Sequence, residues 1–277
     1  MTAGPATDFH SHLIPGVDDG AADLAESRAA VEAMARDGVA TAITTPHFDG
    51  SFTLAPPMAE QRLAQLDAGF SLLTADAEVA ACGVRLLRGV ELMLDVPDPD
   101  VSDPRLRLNG GRFVLVEYPG LQLPLSHADY AVRALRDKGW QPVLAHPERY
   151  RNVDDSLEPL LALRYAGAYF QLNAGSLVGY HGDGPKRRAA ALLARGWVEY
   201  GSSDYHGRGA PAVSAARAAL VAGGAAEQAD LLFCENPARL VRDEGPLAVQ
   251  PSNDMRREHS VGWLRRLAGR IGWSRRG

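Results

Sequence analysis

Short apolar runs alternate with amphipathic stretches along most of this chain. Residues 7–10 predict a short first strand. Asp23 reads as a helix N-cap with Glu26 three positions on, as in a capping box. The helix continues through Ala29, Val31 and Met34 and ends at Gly38, a residue suited to the position after a helix. Residues 39–44 form a buried-type strand that stops at Pro46-His47, and a loop over 48–57 leads to a long Ala- and Leu-rich helix reaching Ala81. The alternation then repeats. Strands are predicted over 84–90, 113–116, 142–145, 169–172 and 197–200, with helices over 126–138, 157–165 and 186–195. Strands alternating with helices imply parallel βαβ units.

What closes these runs matters more. The strand ends carry Asp8-Phe9-His10-Ser11-His12, then Asp18-Asp19, His47, Glu91, Glu117, His146 and Asp204-Tyr205-His206. An open doubly wound sheet gathers its functional residues at one switch point. Here they are spread around the whole cycle, which favours a closed α/β barrel of seven parallel strands. Such a barrel places every strand C-terminus on one face. Residues two hundred positions apart then meet in one cup of histidines and carboxylates. An unpaired carboxylate at the end of an apolar run is costly unless a cation or donor meets it, so the set points to metal ions.

Composition narrows the class. The chain has 277 residues, 46% hydrophobic, enough for one full barrel core. A net charge of −5 argues against general nucleic-acid binding. Cys82 and Cys234 are too few for a disulfide framework and suit a reducing cytoplasm. No signal peptide or membrane-spanning run is read. Charge is uneven: residues 251–277 hold seven Arg against Asp254 and Glu258, a net +5, leaving −10 on residues 1–250. The chain therefore divides into a 1–245 domain and a 246–277 tail. In the tail Val261, Leu264, Leu267 and Ile271 lie at helical spacing among arginines, with Trp263 and Trp273 nearby. A basic amphipathic helix at an anionic membrane surface and a disordered basic tail both fit, the latter favoured by Gly262, Gly269 and Gly272.

Individually the ligand candidates are weak, since a pair such as His10-x-His12 arises often by chance. The run His10-Ser11-His12-Leu13-Ile14-Pro15-Gly16-Val17-Asp18-Asp19-Gly20 is far more specific. It resembles the opening of the PHP-class bacterial tyrosine-protein phosphatases of capsule and exopolysaccharide synthesis. Thr45-Pro46-His47, Gly89-Val90-Glu91, Leu115-Val116-Glu117, Ala145-His146-Pro147-Glu148-Arg149-Tyr150, Ser202-Ser203-Asp204-Tyr205-His206 and Glu235-Asn236-Pro237 resemble its later motifs in order. The likeness covers roughly residues 7–243.

The resemblance implies a distorted (β/α)7 barrel of the PHP fold with three divalent ions, manganese first, iron or zinc as alternatives. It implies one metal on His10, His12, Glu91 and Asp204, a second on Glu91, Glu117 and His146, and a third on Asp19, His47 and His206. Asp18 is expected to be a supporting or turn residue. The ligand types themselves do not choose among these metals. Four carboxylates against three divalent ions leave about +2, a charge that attracts a phosphate monoester of roughly −1.5 to −2. Arg149 is the expected clamp on phosphoryl oxygens. The alternative for it is an ion pair with Glu148. Arg208 is a second clamp candidate, and His206 stands beside both as a catalytic candidate. The family's loop has several residues between that histidine and its arginine, whereas only Gly207 stands here.

The implied activity is hydrolysis of phosphotyrosine on an autophosphorylated kinase of polysaccharide export, in the cytoplasm, with the tail at the inner membrane face. The sequence leaves a homo-oligomer open. Alternatives are a phosphatase of the histidinol-phosphate type, a phosphodiesterase, or a metal-free scaffold. Cys82-x5-Arg88 matches the spacing of a cysteine-dependent phosphatase loop but precedes an apolar strand, with Ala81 in front and Gly89 after the arginine. Cys234-x4-Arg239 has the wrong spacing, and Gly182-x-Gly184 lacks a dinucleotide-site context. His127 and His181 read as surface or cap residues, His181 within possible reach of substrate.

Overall fold

The computed structural model of the protein describes residues 4–251. Nearly all of the basic tail, including its amphipathic stretch, lies outside the described residues. Among those described, β1 (Ala6–Asp8), β2 (Val39–Thr44) and β4 (Arg85–Arg88) form one parallel sheet. β3 (His47–Asp49), β5 (Glu91–Met93), β6 (Phe113–Glu117), β7 (Gln141–Ala145), β8 (Tyr169–Asn173) and β9 (Tyr200–Ser202) form another, also parallel.

The two sheets are one barrel. Thr44 pairs with Arg88 and His47 with Glu91, so the register does not slip between them. The Gly89 and Glu91 N–H groups carry the ladder across the gap to the carbonyls of Thr44 and Pro46. β2 with β3 is therefore one strand interrupted at Pro46, which has no N–H to give. β4 with β5 is a second, interrupted at Gly89-Val90. Seven strands result, as the sequence predicts. The barrel closes through a parallel bridge between Ser11 and Tyr205, with Asp204 N–H to the His10 carbonyl and His12 N–H to the Tyr205 carbonyl, both 2.8 Å.

Helices pack outside the strands. α1 (Leu24–Arg36) starts at Asp23, whose side chain accepts the Glu26 N–H; Glu26 reaches back to the N–H of Ala22, one residue earlier than in a standard box. The expected single helix to Ala81 is two helices, α2 (Pro56–Thr74) and α3 (Ala77–Ala81). Asp76 separates them because it caps the second and binds Arg28 of α1. α4 (Ala128–Asp137), α5 (Glu158–Tyr165) and α7 (Asp183–Arg195) fall where expected, and α6 (Ala174–Val178) is added directly after β8. The last strand begins at Tyr200, not 197, so only its end reaches the barrel wall. α8 (Val213–Ala222), α9 (Ala226–Asp230) and α10 (Asn236–Val241) complete the described chain.

The larger buried cluster lies between strands and helices; a smaller one, with Ile43, Phe113, Leu115, Val143 and Tyr200, fills the barrel. Inward positions step by two along a strand. Ile43, Thr45 and His47 lie on one face, as do Leu87, Gly89 and Glu91, and Phe113, Leu115 and Glu117. The apolar plug thus passes into a polar mouth one step later in each strand.

Candidate metal centre

The mouth is built around Glu91, which is 1% exposed. Its Oε2 lies 3.2 Å from His10 Nε2, 3.5 Å from His12 Nε2 and 3.1 Å from His47 Nδ1, and its Oε1 is 3.2 Å from His146 Nε2. Asp204 Oδ1 lies 3.2 Å from His10 Nε2 and 3.5 Å from His12 Nε2. Glu117 is 3.8 Å from His146 Nε2. Nearer solvent, Asp19 Oδ1 is 3.3 Å from both His47 Nε2 and His206 Nε2.

Among the described residues, three groups converge closely enough to share a cation: His10, His12, Glu91 and Asp204; His47, Glu91 and Glu117; and His12, Asp19, His47 and His206. Their members differ from the expected sets at three points, the first being that His12 joins the third group as well as the first. His47 faces both Glu91 and Asp19, and so stands between the second and third groups. His146 reaches Glu91 and Glu117 but falls outside the tightest convergence.

Backbone conformation explains two of the placements. His146 breaks the two-residue inward step of β7, and its left-handed φ of 32° turns the side chain back over the mouth. Asp204 is also left-handed, at φ 53°.

The surrounding hydrogen bonds decide which nitrogens face the cup. The Gln171 amide donates to the Leu172 carbonyl, which leaves its Oε1 as an acceptor 2.9 Å from His10 Nδ1. His10 therefore carries its proton on Nδ1 and turns a lone pair on Nε2 toward two carboxylates. His12 repeats the arrangement with Asp18, 2.7 Å from its Nδ1. His206 Nδ1 donates to the Asp204 carbonyl at 2.9 Å. Among the described residues, buried His10 Nε2 and His12 Nε2 have no hydrogen-bond partner. A lone pair facing a carboxylate in a buried site requires a positive charge between them, either a proton or a metal ion. Residues and geometry fit a metal cluster.

Without a metal the cup must hold protons instead. Burial disfavours charge on His10, yet Glu91 and Asp204 push its pKa up to about 9. Burial also opposes charge on Glu91, but the facing imidazoles hold it well below the carboxylate range. Glu117, buried beside Glu91, is pushed up to about 8. Burial raises Asp18 too, but His12 outweighs it and takes it down to about 2.

Arg149 ion-pairs with Asp204 at the mouth, not with Glu148. Glu148 points inward, accepts the Asn173 N–H at 3.1 Å, and is pushed up to about 7 by burial. Arg208 donates to the Asp19 carbonyl at 3.0 Å and lies at the rim. His181 is an exposed residue at the border of the cup, where partial desolvation and then the Arg149 charge lower its pKa. His127 is exposed at the start of α4 and makes no capping bond. Cys82 lies at the end of α3 with its pKa raised by burial, while Arg88 is taken by Asp67, so no thiolate loop forms. Sequence reasoning named Asp8 only as the start of the first ligand-bearing run and gave no role to Gln171 or Asn173. Asn173 donates to Asp204 at 3.2 Å, and Asp8 binds Ser202 and the N–H groups of His10 and Ser203.

A closed parallel barrel with a buried histidine–carboxylate cup at its C-terminal mouth is the architecture of a metal-dependent enzyme. The sequence model described as capsular polysaccharide synthesis, CpsB/CapC, matches residues 6–242, and the chain belongs to that family. It is similar to tyrosine-protein phosphatase YwqE of Bacillus subtilis, 31% identical over 72% of this chain and 76% of the relative. It is also similar to tyrosine-protein phosphatase CpsB of Streptococcus pneumoniae, 26% identical over 86% of this chain and 98% of the relative. A crystal structure from work on YwqE and CpsB, described as unique metal-dependent tyrosine phosphatases, matches with a TM-score of 0.70. That match has 27% identity and covers 89% of this chain and 99% of the other. Among the described residues no helix is long and apolar enough to cross a membrane.

Proposed function

We propose that this protein is a metal-dependent tyrosine-protein phosphatase that removes phosphate from an autophosphorylated tyrosine kinase of polysaccharide export. The observation that carries this reading is the pair of buried Nε2 lone pairs on His10 and His12 facing Glu91 and Asp204, in a chain of this family. His10, His12, Asp19, His47, Glu91, Glu117, His146, Asp204 and His206 are the proposed ligands of three divalent ions, manganese first. When bound, such ions supply a water of lowered pKa and positive charge against the phosphoryl group.

The chain's own groups do the rest. Gln171 and Asp18 fix the tautomers of His10 and His12. Arg149 has a planar fork suited to two phosphoryl oxygens and leaves Asp204 for them when substrate enters. Arg208 is placed to approach from the Asp19 side. A tyrosyl leaving group, with a pKa of about 10, needs less protonation than an alkyl alcohol. The proposed setting is the cytoplasm, with the basic tail at the inner membrane face near the kinase.

The test uses metal-stripped protein with Mn²⁺ restored, on a phosphotyrosine peptide, p-nitrophenyl phosphate and histidinol phosphate. Metal-dependent release from the peptide and not from histidinol phosphate is expected, and His10→Ala and Asp204→Ala abolish it with the fold intact. Preference for histidinol phosphate moves the protein to small-molecule metabolism. Full activity in both variants overturns the ligand assignment.

A further inference from the structure

A groove of about 510 Å³ opens on the same face of the barrel as the cup, between the loops that follow β5 and β6. Val96, Pro97 and Tyr130 give it an accessible apolar wall, over a floor of buried Leu94, Tyr118 and Leu123. Nothing in the hydrolytic reading uses it.

Its position relative to the cup is fixed by the chain itself. Tyr118 directly follows the ligand candidate Glu117, and Leu94 stands three residues past Glu91, at most about 11 Å along the backbone. The groove is also tied to the segment that carries His146 and Arg149. The Tyr118 N–H donates to the Tyr150 hydroxyl at 2.9 Å, and the Arg151 N–H to the Leu121 carbonyl at 2.9 Å. Asn152 grips Leu123 twice, accepting its N–H at 3.0 Å and donating to its carbonyl at 2.8 Å. Groove wall and catalytic mouth are therefore one rigid unit, a preformed site.

The lip is apolar where a monomer has no need of it. Leu125 and Tyr130 are 61% and 58% exposed. Exposed Leu54 and Met58 lie between β3 and the first turn of α2, and exposed Tyr180 follows α6, so the segments beyond the strand ends carry bare apolar side chains on several sides. Apolar patches beside a charged cup mark a contact surface for another chain.

We infer that this groove holds the extended polypeptide on one side of the phosphorylated tyrosine, seating apolar residues of the substrate protein against Val96, Pro97 and Tyr130. The inference rests on the tyrosine-phosphatase reading and adds where the substrate's protein part binds. An extended chain advances about 3.3 Å per residue, so a segment anchored by its phosphate in the cup reaches the groove within a few residues. The groove then distinguishes phosphotyrosine within a protein from a free aryl phosphate.

The test compares the metal-loaded protein with Tyr130→Ser and Val96→Asp, both outside the hydrolytic machinery. Substrates are p-nitrophenyl phosphate, free phosphotyrosine, and a phosphotyrosine peptide with apolar residues on both sides. Each variant is expected to raise KM for the peptide about tenfold with kcat unchanged, and to leave both small substrates unaffected. Peptide constants equal in all three proteins overturn the groove while hydrolysis stands. A parallel loss on the small substrates also overturns it, because the variants then act on the cup. No hydrolysis of the peptide by the unaltered protein overturns the phosphatase reading, and the groove falls with it. An oligomer that Tyr130→Ser turns into a monomer makes the groove a contact between copies of this chain instead.

Discussion

A histidine binds a cation only through a nitrogen that holds no proton, so the partner of its other nitrogen matters as much as the metal. Gln171 sets this for His10 and Asp18 for His12. Gln171→Leu removes the acceptor and frees the ring to flip. Metal affinity should fall about 10–100-fold by titration while the circular dichroism spectrum is unchanged; undiminished affinity would show that His10 needs no such support. Arg149→Ala should keep the metals and lower kcat on p-nitrophenyl phosphate about 10²–10³-fold, with Arg149→Lys recovering only part. A rate unaltered by Arg149→Ala removes it from the phosphoryl site.

The elements hold these residues through a few close contacts. The turn Asp18-Asp19-Gly20 folds back on the first strand so tightly that a Cβ on Gly20 would lie 2.3 Å from the His12 carbonyl oxygen. Gly20→Ala should therefore displace Asp18 and Asp19 together, with loss of bound metal seen by elemental analysis before any fall in helix content. Full metal occupancy in that variant would show that the turn can yield. Much of this layer was legible in the sequence. Apolar strands closing on His47, Glu91 and Glu117 could be read because inward positions recur every second residue and the last one meets the mouth. The split of the second helix at Asp76 was hidden, because the cap Asp76 makes for α3 is held in place by Arg28, far away in sequence. Gln171, Asn173 and Asp8 look like ordinary polar strand residues until the barrel closes and brings His10, Asp204 and Ser202 against them. Arg149 was placed at the mouth by its nearness to His146, but its pairing with Asp204 and not Glu148 depends on the left-handed turn at His146.

At the scale of the whole molecule, the cup couples stability to metal and pH. Stripped of metal, the fold holds a proton on His10, whose pKa of about 9 exceeds the unfolded value near 6.5. A raised folded pKa contributes stability that is fully present below pH 6.5 and is lost as pH rises through about 9. Metal-free protein should thus melt at a lower temperature at pH 9 than at pH 6. Metal-loaded protein, with the proton displaced, should show little of that dependence. Equal pH dependence in both forms would mean that the His10 charge is not linked to folding.

The left-handed backbones at His146 and Asp204 have a consequence for how such a chain changes over generations. A non-glycine residue in that conformation costs on the order of 1 kcal/mol or more, and the fold tolerates it because the side chain is needed where it points. In a gene copy released from catalysis, glycine or asparagine at these two positions would be favoured outright by the gain in folding, not merely permitted. Decay of a redundant copy should then begin at the centre of its site and leave the barrel wall intact. Lineages of non-catalytic descendants would be recognisable by relaxed ligand positions on an undamaged, more heat-resistant scaffold.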